Sequence, residues 1–161
     1  ELHNGSDDDA AAAAVSAEEV NKRFDDVNTL YHMCETSIFD KAVADKSAYY
    51  PPTFYADGKF THATAIPNNL IDTANHFYTS TKGEWVCIEL DRKALTNLGI
   101  VTVFECAKPV GDIDTNNDWK DSVFPHIFGG IPVHVDGVVT NVHKMKRDAD
   151  GTFLSIDGLA K

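Results

Sequence analysis

The chain has 161 residues, 43% of them hydrophobic and 24% charged, with 25 acidic against 14 basic side chains and a net charge of -11. That length suits one domain around one core, burying roughly 70% of its unfolded surface, and the hydrophobic content is too high for a disordered chain. The acidic balance repels phosphate backbones and anionic headgroups, which makes nucleic acid and membrane surfaces poor partners; no apolar run approaches the ~20 residues that span a bilayer.

Residues 1–14, an acidic run at 7–9 followed by alanines at 10–14, lack apolar periodicity and predict a flexible tail. The chain starts at Glu1 rather than Met, which fits either removal of a leader on the way to an organelle or secretory lumen or a sequence that simply begins at this point, so the compartment stays open. An added N-terminal helix is expected within 15–29: Ser16 and Glu19 make a capping box, Val15 and Val20 a staple, and Val20, Phe24 and Val27 a stripe at helical spacing over 16–28. A strand at 30–34 follows, then a helix at 36–44 with Ile38, Phe39, Ala42 and Val43 as its inner face. Tyr49, Tyr50 and Tyr55 surround Pro51-Pro52, which cannot continue a helix, so an extended loop is expected as far as an Asp57-Gly58 turn. Next come a strand at 60–64 and a helix at 67–78 facing inward with Leu70, Ile71, Ala74, Phe77 and Tyr78.

From there the chain is mainly β, with branched and aromatic residues marking strands at 85–90 and 100–106 and a short turn at 91–95. Residues 108–121 are too long for a hairpin loop and predict an acidic surface insertion. Strands at 133–135, 138–145 and 152–156, with Asp136-Gly137 and Asp150-Gly151 as turns, complete the sheets. The expected fold is α+β: residues 30–161 form a single domain of small antiparallel sheets with flanking helices. Cys34, Cys87 and Cys106 form no CxxC pair, and all three are expected as buried free thiols.

Three histidines are set among apolar neighbours: His32, His62 and His126. Neither HxH nor HExxH occurs, so no metal site is expected; His134 and His143 are nine residues apart across an expected hairpin, but no carboxylate or thiol is placed with them. No GxSxG elbow is present for a nucleophilic triad. Residues 112–118 open like a calcium loop and then fail, with Asn117 where Gly is needed and Val123 where a bidentate Glu is needed, so weak or no calcium binding is predicted.

Tyr31-His32, the helix at 38–42, the step at 57–64, His76-Phe77-Tyr78, the strand at 88–91, Phe104-Glu105, the FPHIFG run at 124–129 and the turn at 147–151 occur in the order of a small, mainly bacterial family, domain-of-unknown-function family 952, which the chain resembles. It departs from the family at Lys59, which enlarges the GFIHxS step, at Phe104 in place of the Trp of the Trp-Glu strand, at Phe128 in place of the Tyr of FPHxYG, and at Phe39, where the family usually has Trp. That family is similar in fold to the ADP-ribosyltransferases. The resemblance implies a pocket between two sheets, with His32 orienting a nicotinamide ribose and Glu105 as the catalytic carboxylate. His62, Thr64 and His126 would bind ligand, Tyr50 and Tyr55 would sit on a covering loop, and Lys59 would offset the charge of an NAD cofactor. A rival expectation, from another class, is a non-catalytic accessory or scaffold subunit that docks a protein partner through residues 15–29 and the inserted loop.

Overall fold

Two antiparallel sheets, one of four strands and one of three, meet at a single corner in the computed structural model, which describes residues 15–159. The tail expected at 1–14 lies outside them. The elements run α1 (Ala17–Lys22), β1 (Thr29–Glu35), α2 (Thr36–Asp45), α3 (Phe54–Asp57), β2 (Thr61–His62), α4 (Leu70–Phe77), β3 (Trp85–Asp91), α5 (Arg92–Asn97), β4 (Val101–Cys106), β5 (Val123–Phe128), β6 (Val139–Arg147) and β7 (Phe153–Ile156). No helix among the described residues is long and apolar enough to cross a membrane.

The larger sheet, ordered β1-β3-β6-β7, is covered on both faces. Side chains alternate along a strand, so β3 sends Val86, Ile88 and Leu90 into one cluster and Trp85 and Cys87 into the other. Phe39 and Ala42 of α2 close the first cluster together with Phe104 and Ile127 of the smaller sheet. Leu70 and Ala74 of α4 close the second against Met33, Met145 and Phe153. The smaller sheet is ordered β2-β5-β4. The sheets join where Tyr31 and Thr64 exchange two backbone hydrogen bonds, each 2.8 Å.

Edge strands present unpaired amides and carbonyls, and here side-chain amides pair with two of them. Asn21 accepts from the Phe104 N–H at 2.8 Å and donates to the Phe104 carbonyl at 3.0 Å, acting as a strand partner for β4. Asn75 does the same for Phe153 of β7, at 2.7 and 3.0 Å.

Several elements differ from expectation. The N-terminal helix covers only Ala17–Lys22, after which the bonds tighten to i→i+3 from Phe24 N–H to the Asn21 carbonyl and from Val27 N–H to the Phe24 carbonyl. Its apolar stripe is covered by its own domain: Phe24 stacks on Phe104 at 4.3 Å, and Val27 packs on the same core. In α2, Val43 is exposed rather than inward. The Pro-Pro loop contains the one-turn helix α3, and residues 91–95 begin α5, whose start Asp91 caps by accepting from the Ala94 N–H at 2.9 Å. β5 was not expected, because Pro125 argues against a central strand. It is tolerated there because β2, on one side, is only two residues long. Residues 133–135 form a turn, so Asp136-Gly137 joins no hairpin, whereas Asp150-Gly151 does turn β6 into β7. Cys34 and Cys87 are buried, with burial raising the Cys87 thiol to about 12, but Cys106 is exposed at the end of β4.

Candidate functional site

Beyond the Tyr31–Thr64 bridge, β1 and β2 diverge, and the buried His32 imidazole fills the wedge between them. Its Nδ1–H donates to the His62 carbonyl at 2.6 Å. A carbonyl only accepts, so Nε2 is the bare nitrogen, and it takes a hydrogen bond from the Tyr49 hydroxyl at 2.9 Å. Tyr49 is itself fixed by backbone bonds to Ile131 at 2.7 and 2.8 Å. Burial lowers the His32 pKa to about 4, against the opposing bond to the His62 carbonyl.

His62 projects from β2 beside its cross-strand partner His126, with ring centroids 5.3 Å apart. Its Nε2 lies 3.0 Å from Asp57 Oδ2, and the Asp57 side chain is only 3% exposed. Asp57 Oδ2 also accepts from the Thr53 hydroxyl at 2.5 Å, while Oδ1 accepts from the Gly111 N–H at 2.9 Å. A carboxylate with these neighbours is an acceptor only, so the ring proton sits on Nε2 and leaves Nδ1 bare. Nδ1 forms no hydrogen bond among the described residues. Burial, then the adjacent His126, hold the imidazole below its ordinary range against the pull of Asp57.

His126 is 1% exposed, stacks on Phe60 at 4.2 Å, and donates from Nδ1 to Glu105 Oε1 at 2.7 Å. Burial lowers its pKa too, with Glu105 opposing.

Between the sheets lies a cleft in two compartments. The smaller, about 40 Å³, is lined by Tyr31, Thr64, Lys108, Trp119, Phe124 and His126 among others. The larger, about 520 Å³, takes in His32, Tyr49, Tyr78, Trp85 and the start of the inserted loop. His62, Met33, Phe77, Tyr78 and Val110 belong to both walls. The larger space is the size of a small-molecule pocket, whereas the smaller has room for little more than a few waters.

The inserted segment 108–121 is a strap over this cleft rather than a free surface excursion. Val110 is buried, Gly111 is tied to Asp57, and the Asp114 carbonyl accepts from His76 Nε2 at 2.6 Å. Trp119 packs against His76, Phe77 and Phe124 at 5.1 to 5.8 Å. In the calcium-like part of the strap, Asp114 and Asn116 accept from nearby backbone amides.

Of the residues singled out by sequence, His32, His62, Thr64 and His126 line the cleft. Glu105 reaches it only through His126. Tyr50 and Tyr55 do not line it: Tyr50 lies against Gly130, where a Cβ would come within 2.5 Å of its ring, and Tyr55 is 72% exposed. Lys59 is exposed with φ 64°, and Lys108 is the cation at the smaller compartment. His134 and His143 do not pair; His143 is held by Glu89 Oε1 at 2.9 Å and the Asp157 carbonyl at 2.8 Å. Sequence reasoning missed Asp57, Tyr49 and Lys108. Asp57 was hidden in a turn signal, and Tyr49 and Lys108 lay outside any motif.

A family model described as protein of unknown function (DUF952) matches residues 33–141. Among solved structures, the crystal structure of protein CC0527 from Caulobacter crescentus is similar at 17% identity and a TM-score of 0.55, over 78% of this chain and 93% of that one. A double mutant of the same protein is similar to the same degree. These likenesses concern the fold. No curated protein matches the chain.

Proposed function

The chain belongs to the DUF952 family of proteins of unknown function, and from that premise we propose that its cleft is a small-molecule site in which His62 supplies a neutral, hydrogen-bond-accepting nitrogen. The observation that carries this reading is the setting of one side chain. His62 stands on the wall common to both compartments, with its proton committed to a buried carboxylate and Nδ1 unpaired. A carboxylate behind an imidazole fixes the tautomer and orientation of the ring and stabilises it should it take up a proton, which suits a general base as well as a ligand acceptor.

A likeness to the ADP-ribosyltransferases would instead give the leading roles to His32 and Glu105. Both nitrogens of His32 are engaged by the protein, and Glu105 is engaged by His126, which favours His62 over either. A small ligand is also better matched than a whole dinucleotide to one compartment of about 520 Å³ beside one of about 40 Å³.

A fragment library screened by NMR tests the reading. Hits should shift the amides of Thr64, Phe77 and Tyr78 and move the His62 Nδ1 resonance, and His62→Ala should weaken them at least fivefold. A screen without cleft hits, or hits indifferent to His62→Ala in a protein that still melts cooperatively, overturns it.

A further inference from the structure

The larger compartment carries a charge pattern of its own. Its lining includes the acidic residues Glu35 and Asp112 and no lysine or arginine. A third carboxylate, Asp57, is buried directly behind His62. The two histidines that reach this space are both held below the ordinary imidazole pKa by burial, so neither adds positive charge near neutral pH. In a chain of net charge -11 no long-range field offsets this.

Its walls are aromatic. Phe77, Tyr78 and Trp85 form a continuous group, with centroids 6.0 Å apart for the first pair and 4.6 Å for the second, and Tyr49 lines the same space. Aromatic faces attract cations through the ring quadrupole, most strongly where water is excluded. Trp85 is 4% exposed, so water is excluded from most of its ring.

We infer that the larger compartment takes an organic cation of the substituted-ammonium class. The inference rests on the small-molecule reading of the same cleft and adds the sign of the ligand's charge. The aromatic group would hold the cation, with Glu35 and Asp112 supplying the field.

Three probes of similar shape separate the contributions: choline, its neutral carbon isostere 3,3-dimethyl-1-butanol, and the anion 3,3-dimethylbutanoate, each titrated into the full chain and followed by amide and indole NMR shifts. Choline should bind at least fivefold more tightly than the isostere, and the anion should bind weakest. Choline should also move the Trp85 indole N–H resonance. In the Glu35→Gln/Asp112→Asn protein, whose two changes are isosteric, the advantage of choline over the isostere should shrink to less than twofold. Equal binding of choline and isostere, tightest binding of the anion, or an unchanged advantage in the double variant overturns the charge assignment while leaving a small-molecule cleft in place. If none of the three perturbs the cleft, the cation inference falls, and the fragment screen alone then decides whether the cleft binds small molecules at all.

Discussion

His32 shows how a histidine can serve the fold through both nitrogens at once. The imidazole closes the gap where β1 and β2 part, giving Nδ1–H to β2 and taking the Tyr49 hydroxyl on Nε2. Burial disfavours the charged ring, and its pKa of about 4 against an ordinary 6.5 follows from that burial. Between those values the unfolded chain binds a proton that the folded chain does not. Stability is therefore full above pH 6.5 and declines as the pH falls toward 4, by about 3 kcal/mol from this group alone. His62 and His126, also lowered, act in the same direction. Urea denaturation across this range should show the loss, and His32→Gln should be less stable at pH 7 yet show a flatter profile; an equally steep profile would contradict the assignment. Asp57 permits a sharper test. Asp57→Asn can keep its carbonyl on Gly111 and turn its amide toward Thr53 and His62, which forces the His62 proton onto Nδ1. The fold should survive while the cleft nitrogen changes from acceptor to donor, visible in imidazole ¹⁵N shifts, and ligand affinity should drop at least tenfold. Those histidines were legible in the sequence because apolar neighbours betray a held side chain. Asp57 was not, because Asp-Gly is a turn signal whatever the carboxylate goes on to touch.

At the scale of elements, sequence pattern located the buried strands and the helices that cover them: branched and aromatic residues mark β3, and apolar residues at spacings of three to four mark α4. It failed where a local rule was overridden or a weak signal passed over. Pro125 hid a central strand, and Asp91 capped a helix where only a turn was expected. The amide pairing by Asn21 and Asn75 was invisible in the same way, because it joins residues 83 and 78 positions apart. Asn21→Ala leaves the Phe104 amide and carbonyl without their partner and should cost about 2 kcal/mol in urea denaturation. Removing residues 1–28 also strips Phe24 from Phe104 and should cost roughly 3 kcal/mol. Light scattering should then report self-association through the uncovered β4 edge. A truncated chain with an unchanged melting temperature would mean that this helix contributes nothing to the domain.

For the whole molecule, the joint at Tyr31 and Thr64 leaves the two sheets splayed, and the strap 108–121 crosses the opening they leave. Trp119 is its inner anchor, packed on His76, Phe77 and Phe124. Trp119→Ala should free the strap and enlarge the smaller compartment. Hydrogen exchange should rise across 108–121 by at least tenfold while the amides of β3 and β6 keep their protection. Uniform loss of protection would instead mean that Trp119 supports the core.

The bond from Gly111 to Asp57 and the packing of Trp119 secure the strap near its two ends, and the residues between them are largely exposed. Chain added between two fixed points is entropically inexpensive, about 0.6 kcal/mol for each doubling of loop length. Residues 115–117 are therefore a natural place to splice in a peptide tag or a dye. Because the strap that carries the splice is tied at Gly111 to the carboxylate that orients His62, a label there would turn the arrival of a ligand into an optical signal and make the protein its own sensor.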